Sequence, residues 1–92
     1  MGSSDVGDVA NIMPTSMLWG CAWPVGVAAH TWQAVASTGS SIGLKGSVQA
    51  AKAMAGTVYD LASDTSLIDK AKKEFTAKRG GKAYCPVEDL LA

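Results

Sequence analysis

Apolar positions recur at helical spacing along one long stretch of the chain. From Ser40 or Ser41 to about Ala62, residues Leu44, Val48, Ala51, Ala55, Val58 and Ala62 step by four, three, four, three and four. That spacing lines them along one face of a helix. Gly43, Gly46 and Gly56 fall inside the stretch, and each costs about 1 kcal/mol of intrinsic helicity relative to alanine. Packing against a sheet or another helix must therefore hold this element. A second helix is expected from the Asp64-Thr65-Ser66 cluster, where Ser66 and Asp69 have capping-box-like spacing. Leu67, Ala71 and Phe75 mark its inner face, Lys70, Lys72, Lys73 and Lys78 its wet one, and Gly80-Gly81 its end.

Before residue 40 the period changes. Residues 5–12 predict a short helical turn with Ser4 or Asp5 as N-cap and Pro14 ending it. Residues 15–22 (TSMLWGCA) form a short apolar run bounded by prolines, whose length and flanks favour a buried strand. Pro24 and Gly26 punctuate a loop that delivers His30 directly after the end of that strand. Residues 31–39 read as a loop or a broken turn, and the tail 82–92, with Tyr84, Cys85 and Pro86, as extended chain. The inventory is α/β: one strand or two plus two packing helices. It divides into 1–39 (strand and His30 loop), 40–81 (the helices) and 82–92 (the tail). A lone strand leaves both backbone edges unpaired, so the expected fold is a fragment that further chain completes.

Composition supports a folded but incomplete chain. Of the 92 residues, 48% are hydrophobic and 17% charged, the reverse of a disordered balance. Eight basic and eight acidic residues cancel, so no net field draws nucleic acid or an anionic membrane. Trp19, Trp23 and Trp32 sit in a stretch otherwise rich in glycine and alanine, which offers large rings few walls of their own. No segment reaches the roughly 18 apolar residues of a membrane helix, and no signal peptide is visible. Cys21 and Cys85 have no CxxC spacing; reduced thiols of a cytoplasmic protein are the expectation, with a disulfide between them left open.

The residues alone support little chemistry. A single histidine, no GxSxG and no base beside either cysteine leave a nucleophilic triad without parts. Gly39 to Gly46 (GSSIGLKG) brings glycines and a lysine to a helix start, but misses the GxxxxGK[ST] spacing. His30 is either a structural histidine or a metal ligand, its position after a Pro/Gly loop favouring use. Zinc takes three or four donors, and Asp5 and Asp8, which equally suit helix capping, are the other donors nearby. The tryptophans suit a core or an interface, and Lys45 a surface contact.

Several motifs, taken together, carry a resemblance. Gly2 to Val9 (GSSDVGDV), Pro14, Ala29 to Gln33 (AHTWQ), Ser41 to Gly46 (SIGLKG), Ala50 to Ala55 (AAKAMA) and Tyr84-Cys85-Pro86 resemble the C-terminal end of the B-type aminobenzoyl-glutamate hydrolases. That type is a branch of the aminoacylase and carboxypeptidase superfamily of two-metal amidohydrolases. The combination of SDVGDV with HTWQ is the specific part. The resemblance covers nearly all of this chain and about the last fifth of a typical family chain. One departure is Leu44, where the branch has a histidine before the helix lysine. A polar role at that position is thereby in doubt.

The resemblance implies an α/β fragment of the catalytic domain of a two-metal aminopeptidase-like fold. It implies that His30 is the last ligand of a centre of two zinc or manganese ions, with Asp5, Asp8, Trp32 and Lys45 as supporting or structural residues. The other ligands and the general base lie upstream in the family. This chain alone is therefore expected to bind no metal stably and to be inactive, its partner being the remainder of the catalytic domain. The complete enzyme would cleave an amide in a small N-acyl amino acid such as p-aminobenzoyl-glutamate. The alternative is a stand-alone, non-catalytic module that self-associates through the apolar strand.

Overall fold

A computed structural model of the chain describes residues 4–91; Gly2 and Ser3 of the first motif lie outside the described residues, as do Met1 and Ala92. Its regular elements are α1 (Val6–Ile12), α2 (Trp32–Thr38), α3 (Ser41–Ser63), α4 (Ser66–Arg79) and α5 (Val87–Leu91). The chain divides into two compact units, Met17–Ser63 and a second made of Met1–Ser16 with Asp64–Ala92.

Among the described residues there is no β-strand, which overturns the expected α/β fragment and its strand at 15–22. Residues 15–22 run without regular hydrogen bonding. A strand is made by its neighbour, and this chain has no second run to pair with it; Gly20 and the flanking prolines weaken the segment further. An apolar strand edge is accordingly not available for self-association.

In the unit Met17–Ser63 this irregular segment lies against α3. The covered side of α3 is lined by Gly43, Gly46, Ala50 and Leu61. A Cβ built on Gly46 would run into the carbonyl oxygen of Cys21 and lie 2.9 Å from its carbonyl carbon. One built on Gly43 would meet the Thr38 carbonyl oxygen and lie 2.7 Å from that of Ser37. Glycine is thus required at both places by backbone-to-backbone approach, Gly46 seating the 20–22 segment and Gly43 the end of α2. The expected glycine cost to helicity is real, and close packing is what offsets it.

The apolar stripe from Leu44 to Ala62 is helical as expected, but it is not the inner face. Leu44, Val48 and Val58 are exposed, as are Ala51, Ala55 and Ala62. At 3.6 residues per turn the stripe is centred roughly 120° around the helix from the glycine side. Ala34 of α2, 4% exposed, is the one buried hydrophobic side chain among the described residues.

Helix α2 occupies residues expected to be a loop or broken turn. Thr31 caps it, its hydroxyl accepting from the Ala34 amide at 3.3 Å. The chain then reverses within two residues, Gly39 and Ser40. The Ser40 amide (3.0 Å) and hydroxyl (2.5 Å) both donate to the Ser37 carbonyl.

The other unit follows the sequence more closely. Asp5 is the N-cap of α1 and Met13, extended before Pro14, its C-cap, as the steric demand of proline on its predecessor requires. In α4 the N-cap is Thr65, whose side chain makes no capping bond, rather than the expected Ser66; the preceding Asp64 carboxylate accepts from the Ser66 amide at 3.0 Å. Leu67, Ala71, Phe75 and Arg79 form its half-buried face, with the Arg79 guanidinium 5.7 Å from the Phe75 ring centre. Gly80 in the left-handed region (φ 64°) and Gly81 (φ 75°) end the helix. The tail departs from the expectation at 87–91, where it forms α5.

The glycine contacts separate two substitutions on one helix. Gly46→Ala should destabilise the protein by about 1–3 kcal/mol through overlap with the Cys21 carbonyl. Gly56 has nothing within 4 Å of an added Cβ, so Gly56→Ala should stabilise by about 0.5–1 kcal/mol. Urea unfolding of the two variants checks the opposite signs.

Candidate functional site

His30 stands in an irregular loop, one residue before the Thr31 N-cap of α2. The turn begins where the Val27 amide donates to the Pro24 carbonyl at 3.3 Å, with Gly26 at φ 93°. His30 itself adopts φ 60°, the one non-glycine residue in the left-handed region among the described residues. Histidine visits this region more readily than bulkier or β-branched residues, at a cost of order 1 kcal/mol. Thr31 maintains the geometry from the following position. Its hydroxyl donates to the Ala28 carbonyl at 2.7 Å while accepting from the Ala34 amide, so one side chain fixes the chain on both sides of His30. The imidazole is exposed on a short, twice-anchored loop.

Trp32 is the first residue of α2 and is 75% exposed. Lys45 lies inside α3, which removes the phosphate-loop reading of its glycine-rich surroundings, and it borders a shallow surface of Leu44, Val48, Gln49 and Lys52. These residues and His30 belong to the unit Met17–Ser63; Asp5 and Asp8 belong to the other. Asp5 serves α1 through its backbone, its carbonyl accepting from the Asp8 amide at 3.1 Å, and its carboxylate makes no capping bond.

Asp8 has a partner that sequence reasoning missed. Its carboxylate accepts a 2.9 Å hydrogen bond from the Tyr84 hydroxyl. The bond ties the first motif, SDVGDV, to the last, Tyr84-Cys85-Pro86. A separation of 76 residues leaves no local signal for such a pair. Asn11, Lys78, Arg79 and Lys82 line the same cleft. Lys78 is engaged by Glu74 at 2.5 Å, and this bond and the nearby ammonium hold the Glu74 carboxyl below its ordinary range. The Arg79 Nε donates to the Lys82 carbonyl. The hydrogen bond to Asp8 pushes the Tyr84 phenol above its ordinary value, helped by partial desolvation and by the charge of Asp8.

A metal centre is not complete within these residues. Among the described residues no three His, Cys, Asp or Glu side chains converge, and an exposed imidazole offers one nitrogen where zinc takes three or four donors. His30 fits one corner of such a centre and no more. Cys21 and Cys85 are free and exposed, the Cys21 thiol directed to the Trp23 carbonyl at 3.7 Å. No helix among the described residues is long and apolar enough to cross a membrane.

The sequence is 36% identical over 86 residues to the B-type subunit of p-aminobenzoyl-glutamate hydrolase from Escherichia coli (strain K12), a match covering 92% of this chain. Over nearly its whole length this chain is similar to that hydrolase subunit. The resemblance therefore extends along nearly the whole chain. The chain spans 18% of the length of the curated relative it matches. No family model matches it, and no solved structure does.

Two predictions follow the geometry. Thr31→Val should destabilise by about 1 kcal/mol as a lost cap, whereas His30→Gly should not destabilise, because glycine takes the left-handed conformation without strain; thermal melts of the two compare them. The Tyr84 bond should respond to alkali. The folded phenol is raised above its unfolded value, so its contribution is full below the ordinary phenol pKa and is lost as pH rises through the folded one. Wild type should therefore lose more stability than Tyr84→Phe across that alkaline window, and equal pH dependence of the two would remove the bond from the account.

Proposed function

We propose that this chain is a component of an enzyme that hydrolyses the amide of a small N-acyl amino acid, p-aminobenzoyl-glutamate being the type of substrate. In that enzyme His30 contributes one ligand to a centre of two zinc or manganese ions. The observation that carries the reading is the coincidence of two independent features at one residue. His30 lies within the HTWQ motif, inside the stretch related to the hydrolase subunit, and it is the exposed residue held at positive φ by the Thr31 anchor. Backbone strain at an exposed histidine is a cost that a positioning role would justify.

A metal pair, when bound, polarises the amide carbonyl and lowers the pKa of a water nucleophile. The part this chain plays is narrower. Its twice-anchored loop fixes the backbone that carries the exposed imidazole, which favours a ligand whose partners come from elsewhere. Asp5, Asp8, Trp32 and Lys45 are supporting residues in this reading, Asp8 through its bond to Tyr84. The remaining ligands and the general base come from outside these 92 residues.

A second reading has its own support. Large apolar side chains are exposed on α2 and α3, as a self-associating, non-catalytic module would require. It predicts a discrete homo-oligomer indifferent to His30→Ala and to chelators.

The deciding experiment measures zinc- and manganese-dependent hydrolysis of p-aminobenzoyl-glutamate. The assay uses the purified chain and the chain co-expressed with the Escherichia coli relative lacking its matching 86 residues. The pure chain should be silent. The co-expressed pair should be active, and His30→Ala should lower that activity by more than about a hundredfold. Activity unaffected by His30→Ala would end the ligand assignment, and amidase activity in the pure chain would end the component reading.

A further inference from the structure

Helix α3 has three sides where an ordinary surface helix has two. The glycine side, with Gly43, Gly46 and Ala50, is covered within the unit. A polar side carries Lys45, Gln49 and Lys52. Between them runs the stripe Leu44, Val48, Ala51, Ala55, Val58 and Ala62, apolar throughout and open along its whole length. A helix that turns one apolar side inward needs no second one for its own unit.

We propose that this stripe is a docking face for the remaining four-fifths or so of a B-type aminobenzoyl-glutamate hydrolase, the part of the relative that this chain does not match. The inference rests on the family reading above and adds the surface through which assembly occurs.

The chemistry of the stripe defines its partner. It contains no charged residue, so the partner surface is neutral and apolar. Alanine at 51, 55 and 62 lets the partner backbone come close, while Leu44, Val48 and Val58 supply the larger contacts. A second copy of this chain is a poorer fit. A two-fold pairing covers one self-complementary patch, but in this unit Leu18, Trp19 (92% exposed), Trp32 and Val35 are open as well. Apolar surface spread over the irregular segment, α2 and α3 calls for a partner larger than the chain itself. The relative supplies such a partner, because most of its length lies outside the match.

The test co-expresses this chain with the Escherichia coli relative from which the matching 86 residues have been deleted. The two should co-purify as a soluble complex of defined stoichiometry in sedimentation. Val48→Lys and Val58→Lys, each placing a charge in the stripe, should weaken it by about tenfold or more. Gln49→Lys on the polar side should leave affinity within about twofold. Circular dichroism of the variants shows that α3 remains folded. A deleted relative that stays insoluble in the presence of the chain would overturn the proposal, as would a complex indifferent to both valine substitutions. A discrete homo-oligomer dissolved by Val48→Lys would instead identify a second copy as the occupant. A complex that forms but hydrolyses no N-acyl amino acid would sink the proposed function while leaving the docking face intact.

Discussion

The unit that carries His30 depends on the meeting of two backbones at Gly46. The 20–22 segment crosses α3 so closely that a single added carbon on Gly46 collides with the Cys21 carbonyl. With one buried hydrophobic side chain among the described residues, side-chain burial contributes little here, and close backbone packing with the two-residue reversal at Gly39-Ser40 holds the unit together. Such packing is short-ranged and tolerates no added volume. The loop after residue 22, with its proline and Gly26, starts from that crossing and ends at the Thr31 anchor, so the placement of His30 follows from a glycine well beyond it in the chain.

How much of this was legible in the sequence differs between elements. The 41–63 and 66–79 helices, the Pro14 stop and the Gly80-Gly81 end are written in local pattern and were readable. The open side of α3 was not. Periodicity identifies which residues share a side, and an apolar stripe is ordinarily the buried one; here Gly43 and Gly46, which looked like flaws in the helix, mark the packed side. The strand expected at 15–22 failed for the complementary reason. Apolar content fits a strand, but pairing decides it, and a single run of residues contains no information on whether a neighbour exists. Helix α2 was hidden by its Val, Ser and Thr, which favour helix weakly, although Thr31 at the cap position with an amide three residues on was a usable signal.

The sequence singles out His30 as a candidate and assembles no group of side chains around it. His30 was marked by its loop and by the HTWQ resemblance, and the left-handed backbone with its double anchor adds a physical feature that no pattern announced. The Tyr84–Asp8 bond joins two motifs that sequence reading had treated as separate parts of one resemblance. Similarity to the hydrolase subunit over 92% of the chain gives both features a common context.

The glycine-seated crossing is tested most directly by nuclear magnetic resonance of the labelled chain. The account predicts helical carbon shifts over 32–38 and 41–63, no strand shifts over 15–22, and a nuclear Overhauser contact between the Gly46 α-protons and Cys21 or Ala22. Strand shifts at 15–22, or the absence of any contact from Gly46 to that segment, would contradict it.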